Sequence, residues 1–325
     1  MGNEPNEYTS CDIIQHGIDI LRDSILLCCR SANSVPKVKI YKNYKGEKIN
    51  WDNYFKIKDK LKDLHKKNII IPQCKDCIFL EKKVWEDSKV PYINTVTVNN
   101  WVKCNADCIY CDRKRDYSHI KEFNIYPIFK ELIKDNYLKK PTDITFAGGE
   151  PTIYRDFDKS LKLLIKNNFD GIRVLTNGIK YNKYIEEGIK KNLVNILVSV
   201  DCGTRETYKK IKKVDKHNDV WKNLKRYLKY KQVNHAVQTK YILIPNINDN
   251  KQELKEFILR NKEIGIENTY IDIESNLFSR EMKNKVFLER MHSLYLYAKD
   301  FGMSNNVNVF PHDRVQMAIN ELKKD

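Results

Sequence analysis

Cys104, Cys108 and Cys111 fall within one short stretch, "KCNADCIYCDRK" at 103 to 114, and supply three thiolates where a closed site would want four. A structural zinc site or a plant-type iron-sulfur centre normally takes four protein ligands. A triplet therefore points to a metal site left open on one side, and an open position implies chemistry. A second group of cysteines lies upstream at Cys11, Cys28, Cys29, Cys74 and Cys77, and Cys202 stands alone downstream. In a reducing compartment nine cysteines clustered this way read as metal ligands before disulfides, and the odd count leaves at least one over.

The elements that must position these residues follow from periodicity. From about residue 92 short β-branched runs alternate with longer amphipathic stretches, the pattern of βα units around a parallel sheet. The strands are predicted at "INTVTVN" (93 to 99), "DITFA" (143 to 147), "IRVLT" (172 to 176), "NILVSV" (195 to 200), "QTKYILI" (238 to 244) and "TYIDIE" (269 to 274). Helices are predicted in "FNIYPIFKELIKDNYL", "DFDKSLKLLIKNN" and "NKQELKEFILRNKEIG", the last closing on Gly265 as its C-cap. Six such units fit a partial barrel or an open doubly wound sheet. The cysteine loop follows the first strand, Gly148 to Pro151 ("GGEP") the second, Asn177 and Gly178 the third, and Ser199 and Asp201 end the fourth. The carboxyl edge of a parallel sheet is where ligands sit, so one mouth is expected to collect them.

Residues 1 to 91 read as a separate cysteine-bearing module, with a β-hairpin in "GIDILRDSILLCC" turning at Arg22-Asp23-Ser24 and a basic amphipathic helix in "NWDNYFKIKDKLKDLHKKN" leading to "CKDC". Residues 92 to 275 form the core, and 276 to 325 a C-terminal extension with the helical pattern "EMKNKVFLERMHSLYLYAKDFG" and a short strand in "VNVF". The composition, 41% hydrophobic, is that of a folded protein. No run approaches a membrane span, "MGNEPNEYTS" lacks the regions of a signal peptide, and Tyr8 to Ser10 come too late for a myristoylation signal. A cytoplasmic location is expected, with no membrane partner. The net charge of +16 is mostly lysine scattered over the whole chain, which favours a solvated surface and leaves nucleic acid open as a partner.

Three thiolates can hold three irons of a 4Fe-4S cluster while the fourth stays open. The spacing Cys-x3-Cys-x2-Cys, with Tyr110 before the last cysteine, resembles the signature of the radical S-adenosylmethionine superfamily. "GGEP" one strand later and the "TNG" and "SVD" strand ends strengthen the resemblance, which covers roughly residues 92 to 275. It implies a partial (β/α)6 TIM-type barrel. It implies that Cys104, Cys108 and Cys111 ligate the cluster and that S-adenosylmethionine chelates the open iron. It implies further that Tyr110 lies near the adenine and that Gly148, Gly149 and Glu150 take the methionine ammonium. Ser199 and Asp201 are then candidates for the ribose and Asn177 for a supporting contact. The implied chemistry is reductive cleavage to a 5'-deoxyadenosyl radical that abstracts hydrogen from a substrate, with flavodoxin or ferredoxin as electron donor.

The N-terminal cysteines resemble the auxiliary-cluster modules called SPASM and Twitch, which usually follow the barrel and here would precede it. That resemblance implies a second 4Fe-4S cluster on Cys11, one of Cys28 and Cys29, Cys74 and Cys77; a structural zinc site is the other option, and buried cysteines without metal a third. Adjacent strand residues face opposite ways, so only one of Cys28 and Cys29 is expected to ligate, and the family spacing favours Cys29. Relatives of this kind modify peptides or proteins, and others act on sugars; RNA is a third substrate class that the basic surface suggests.

Other readings use the same residues. Cys108 and Cys111 with Cys74 and Cys77 would make a four-cysteine zinc knuckle, which leaves Cys104 and "GGEP" unexplained. On that path the protein is a non-catalytic zinc-binding protein holding nucleic acid on its basic faces. Asp201 could cap the helix beginning at "TRETYKKI". Cys202 is either an ordinary small residue or a thiol that donates hydrogen to a substrate radical.

Overall fold

The computed structural model describes residues 7–27, 39–75, 77, 79–85, 90–111 and 122–323. The chain divides into two compact units, Met1–Val102 with Asp116–Ile172, and Lys103–Arg115 with Arg173–Asp325.

The first unit runs β1 (Glu7–Ser10), α1 (Asp12–His16), β2 (Gly17–Leu21), β3 (Ser24–Leu26), β4 (Lys39–Lys42), α2 (Trp51–Lys66), β5 (Glu81–Val84), β6 (Ile93–Asn99), α3 (Tyr126–Lys134), β7 (Leu138–Phe146) and α4 (Arg155–Lys166). β1 and β5 pair with each other, and the remaining strands lie in the order β7-β6-β2-β3-β4. β6 is parallel to both β7 and β2, whereas β2, β3 and β4 are antiparallel in turn. The expected hairpin is therefore β2-β3, and it joins the sheet beside β6. Ile93, Val96 and Val98 of β6 are fully buried. On α4, Phe157, Leu161, Leu164 and Ile165 form one buried stripe, each side chain contributing roughly 2 kcal/mol by leaving water. α2 starts where Asn50 accepts the Asn53 N–H, and it is fastened to the α1-β2 junction. Tyr54 donates to the Gly17 carbonyl at 2.7 Å, and the buried Lys58 to the carbonyls of Ile13 and Gly17 at 3.1 and 2.7 Å.

β7 begins at Leu138, five residues before the expected start at 143. "LKKPT" shows no alternation, and Pro141 argues against a regular strand. The structure accommodates it with a break in register between Ile93 and Thr95 on β6.

The second unit runs β8 (Ile172–Thr176), α5 (Lys183–Lys190), β9 (Val194–Ser199), α6 (Arg205–Lys212), α7 (His217–Leu228), β10 (Val237–Leu243), α8 (Lys251–Ile264), β11 (Asn268–Ile273), α9 (Ser275–Glu281), α10 (Lys285–Met303), β12 (Asn308–Pro311) and α11 (Asp313–Leu322). Its strands lie in the order β12-β11-β10-β9-β8, and β9 through β12 are parallel. α8 ends as expected at Gly265, whose φ of 87° is the left-handed conformation. The helix expected over 281 to 302 is α10, which starts four residues later, at Lys285, where Asn284 caps it by accepting the Phe287 N–H; the short α9 ahead of it was not expected. Among the described residues no helix is long and apolar enough to cross a membrane.

Candidate active site

In the second unit, Cys104 is exposed while Cys108 and Cys111 are half-buried. The loop that carries them is held by α6. The last carbonyls of a helix lack partners within it, and here two of them accept amides of the loop. Asp107 N–H donates to the Lys212 carbonyl and Ile109 N–H to the Ile211 carbonyl, both at 2.9 Å. Cys111 N–H donates to the Cys108 carbonyl at 3.1 Å, closing the turn around Tyr110.

Asn177 braces the same loop. Its amide donates to Asn105 Oδ1 at 2.6 Å and reaches Cys104 Sγ at 3.5 Å, and its own oxygen accepts the Ile179 N–H at 3.0 Å. The Ala106 N–H also donates to Cys104 Sγ, at 3.4 Å. Gly178 makes this turn possible: its φ is +73°, and a Cβ there would stand 2.7 Å from Val198 Cγ1.

Behind the cysteines lies a buried triad that the sequence reading missed. Lys212, 1% exposed, forms an ion pair with Asp201, 0% exposed. Tyr110 donates its hydroxyl hydrogen to Asp201 Oδ2 at 2.5 Å and accepts from Lys212 Nζ at 2.9 Å. Asp201 Oδ1 accepts the Ile242 N–H at 2.9 Å. Burial alone would pull the Lys212 pKa down, but Asp201 and then Tyr110 hold it well above the usual lysine value, so the ammonium stays charged. Burial, then Asp201, push the Tyr110 hydroxyl well up, and burial pushes the Cys108 thiol up against the pull of Lys212. A metal binding at Cys108 must displace that proton.

Three sequence expectations change here. Both Asp201 oxygens are engaged within the unit and the residue is fully buried, so it offers no face to a ribose. It does not cap α6 either, since Thr204 does so through the Thr207 N–H. Cys202 is also fully buried, with its thiol directed to the Val200 carbonyl at 3.5 Å and burial raising its pKa well above the usual thiol value. Such a thiol faces no open space, and the hydrogen-donor reading is withdrawn. Ser199, at the end of β9, is half-exposed.

In the first unit "GGEP" follows β7. Gly148 takes φ 110°, a conformation that needs glycine, and Gly149 N–H donates to the Trp101 carbonyl at 2.9 Å. Glu150 is 1% exposed and caps the short 3-10 turn Pro151–Ile153, its Oε1 accepting from Thr152 N–H at 3.2 Å and Thr152 Oγ1 at 2.6 Å. Trp101 stacks on Tyr154 with centroids 5.3 Å apart. Glu122 then ties both ends of the turn, accepting from Val102 N–H at 2.7 Å and Tyr154 hydroxyl at 2.5 Å.

Also in the first unit, Cys11 and Cys74 lie in one buried cluster with Ile13 and Ile14, flanked by Leu61, Ile70, Ile71, Phe79 and Leu80. Burial raises the Cys11 thiol, and Cys77 is near enough to raise it further. Cys11 Sγ accepts the Ile14 N–H at 3.4 Å. Cys28 and Cys29 lie outside the described residues. Among the described residues no three His, Cys, Asp or Glu side chains converge on a point as ligands of one ion would. Ligands of a 4Fe-4S cluster bind different irons and need not converge in that way. Three thiols on one loop, one of them already accepting N–H donors, suit such a cluster.

The sequence model of the Radical SAM superfamily matches residues 99–258, which contain the cysteine loop, "GGEP", Asn177 and Ser199. The chain belongs to the radical SAM superfamily of enzymes. Members of the family use a 4Fe-4S cluster and S-adenosylmethionine, and generally need a reductant. Among curated proteins, GTP 3',8-cyclase of Desulforamulus reducens is 25% identical over 187 residues, 56% of this chain and 55% of that protein. GTP 3',8-cyclase of Clostridium botulinum is 28% identical over 187 residues, 56% of each. The chain thus spans about half the length of these relatives. Among solved structures, Streptococcus suis SuiB bound to its precursor peptide SuiA aligns with TM-score 0.56 at 14% identity, covering 89% of this chain and 60% of that one. SuiB bound to S-adenosylmethionine aligns with TM-score 0.55 at 15% identity, covering 82% and 57%. This likeness, with the largely parallel strands, gives the fold as a partial TIM-type barrel.

Proposed function

We propose that this chain cleaves S-adenosylmethionine reductively at a 4Fe-4S cluster held by Cys104, Cys108 and Cys111. When bound, the cluster would supply the electron that releases methionine and a 5'-deoxyadenosyl radical, which takes hydrogen from a substrate. The protein's part is to hold and orient. Gly148 and Gly149 let backbone approach the methionine ammonium, and Glu150, 1% exposed with its carboxylate engaged by Thr152, serves by holding that turn in place and not by facing the ammonium itself. Tyr110 meets the adenine through its backbone or ring, its hydroxyl being engaged with Asp201 and Lys212. Ser199 takes the ribose, and Asn177 acts through the loop it braces. The observation that carries this reading is the three-cysteine loop fixed on the end of α6 by two backbone hydrogen bonds.

Cys11, Cys74 and Cys77, with Cys28 or Cys29, would hold a second 4Fe-4S cluster, and their clustering in the first unit supports this over scattered core cysteines. A flavodoxin or ferredoxin would deliver the electron, in the cytoplasm. Family membership removes the non-catalytic zinc protein from consideration. The substrate is a peptide or protein, or a sugar, and the decisive assay does not depend on which. Anaerobically reconstituted protein given dithionite and S-adenosylmethionine should release 5'-deoxyadenosine without substrate. No release above a Cys104→Ala control, with and without candidate substrates, would defeat the proposal.

A further inference from the structure

Lys240 and Asp272 are neighbours toward the carboxyl ends of β10 and β11. α8 packs on one face of β10, where Tyr241 meets Phe257 with ring centroids 5.0 Å apart and Thr239 donates to Asn261 Oδ1 at 2.8 Å. Successive strand residues alternate, so Lys240 takes the opposite face. Its register partners are Ser199 on β9 and Tyr270 on β11, and Asp272 follows Tyr270 on the same face. Asp272 is fully buried, and three basic side chains gather on its Oδ2. Arg314 donates to it at 2.5 Å, His312 Nδ1 stands 3.2 Å away and Lys240 Nζ 3.8 Å. Burial alone would raise the Asp272 pKa, but His312, Lys240 and Arg314 together hold it below the usual aspartate value. One carboxylate thus faces two permanent cations and an imidazole, which leaves positive charge unmatched. The acidic groups beside the cluster do not cancel it. Asp313, 4.0 Å from His312, is 85% exposed and screened by water, and Glu274 has its carboxylate on the amides that open α9. The Lys240 side chain is only 16% exposed, yet among the described residues its ammonium has no acceptor within hydrogen-bond distance. A largely buried ammonium with unused hydrogens is costly until an acceptor arrives. α11 also opens at Asp313 without a side-chain cap, so its first amides add to the positive field at the same place.

We propose that Lys240, His312 and Arg314, braced by Asp272, bind an anionic group of the substrate, a carboxylate or a phosphate. This rests on the reading of the chain as an S-adenosylmethionine-cleaving enzyme and narrows its substrate to one that carries a negative charge. A peptide carboxylate and a sugar phosphate share that chemistry; a neutral sugar does not. Tyr270, its ring 5.5 Å from the 41%-exposed Phe310 and 6.0 Å from His312, gives the body of the substrate an aromatic surface beside the charge. The main chain ties this site to the cysteine loop. Val200 and Asp201 N–H donate to the Lys240 carbonyl at 3.1 and 3.2 Å, and Asp201 in turn accepts the Tyr110 hydroxyl. The residue that offers the ammonium is therefore pinned to the residue that holds the loop.

The test uses the full chain labelled with nitrogen-15 at its seven histidines, the His312 signal being assigned with His312→Asn. Inorganic phosphate and N-acetylglycine, which carries the carboxylate of a peptide end, are titrated separately at low ionic strength. Binding should shift the His312 signal saturably and raise its titration midpoint. Lys240→Gln, which leaves Asp272 paired with Arg314, should weaken binding at least about tenfold. Asp272→Asn, which can still accept from Arg314, should bind more tightly than wild type because the opposing charge is gone. Side chains that only fasten α11 to the sheet would show neither change, so wild-type binding in whichever variant folds overturns the inference. Lys222→Gln with Lys225→Gln, both exposed on α7, should bind as wild type. A loss there equal to that in Lys240→Gln, or no saturable shift with either anion, also overturns it. A response to phosphate alone assigns a phosphorylated substrate, and a response to N-acetylglycine alone a carboxylate. Release of 5'-deoxyadenosine by reconstituted wild type reports separately on the underlying reading. Release without anion binding overturns this inference alone, and anion binding without release overturns the cleavage reading and the substrate role given to the site.

Discussion

His217 opens α7 with its ring 1% exposed, and its Nε2 accepts the indole N–H of Trp221 at 3.0 Å. Burial, helped by the Arg260 cation, lowers its pKa from 6.5 to about 4. A charge there would also face the positive end of α7. The folded protein therefore disfavours the protonated ring, which the unfolded chain accepts below its ordinary pKa. The associated stability is complete above about pH 6.5 and is lost as pH falls toward 4. At 1.36 kcal/mol per pKa unit, lowering the pH from neutrality to about 5 should cost about 2 kcal/mol from this residue alone. The assay is urea unfolding by far-ultraviolet circular dichroism at both pH values, for wild type and His217→Gln. Glutamine can still accept from Trp221 but does not titrate. Wild type should lose about 2 kcal/mol more than the variant between the two pH values. Equal losses in the two proteins would show that His217 is not held neutral by its surroundings.

Three further outcomes are expected. Reconstituted wild type should hold about eight irons, and replacing Cys104, Cys108 and Cys111 by Ala should leave about four; about one zinc in that variant would assign a structural zinc site, and neither metal in a folded variant would make the N-terminal cysteines core residues. Gly178→Ala should lower the melting temperature, at a cost of about 1–3 kcal/mol, because the new Cβ meets Val198 at 2.7 Å and the φ of +73° is strained for alanine; an unchanged melting curve would contradict that geometry. Cys202→Ala should release 5'-deoxyadenosine at the wild-type level, and a loss of release in a folded variant would return Cys202 to the site.

Much of the second unit was legible because its strands alternate and its helices carry stripes. β8 was placed to the residue and β9, β10 and β11 to within one. The start of β7 was not, since paired lysines and a proline carry no periodic signal. The cysteine triplet could be read because thiolate spacing is chemistry written in side chains. Its anchorage could not, because the bonds to α6 run through main-chain groups that every residue possesses. Lys212 was hidden among like neighbours, although a signal existed: it lies one turn after Tyr208 and next to Ile211, on the buried face of α6. Asp201 was seen as chemically important, yet its direction was not, because a residue at a strand end can turn either to the ligand or inward. Its φ of +63° and its bond to the Ile242 amide turn it inward.

The grip of α6 on the loop also bears on how such a sequence can drift. Ile109 is held through its amide while its side chain is 38% exposed. Nearly any side chain can therefore replace it over evolutionary time without disturbing the neighbouring thiols. Proline alone is barred there, since it has no hydrogen to give the Ile211 carbonyl. Descendants of this chain should show a varied position between Cys108 and the aromatic residue, and a helix end behind it whose course changes far less than its letters.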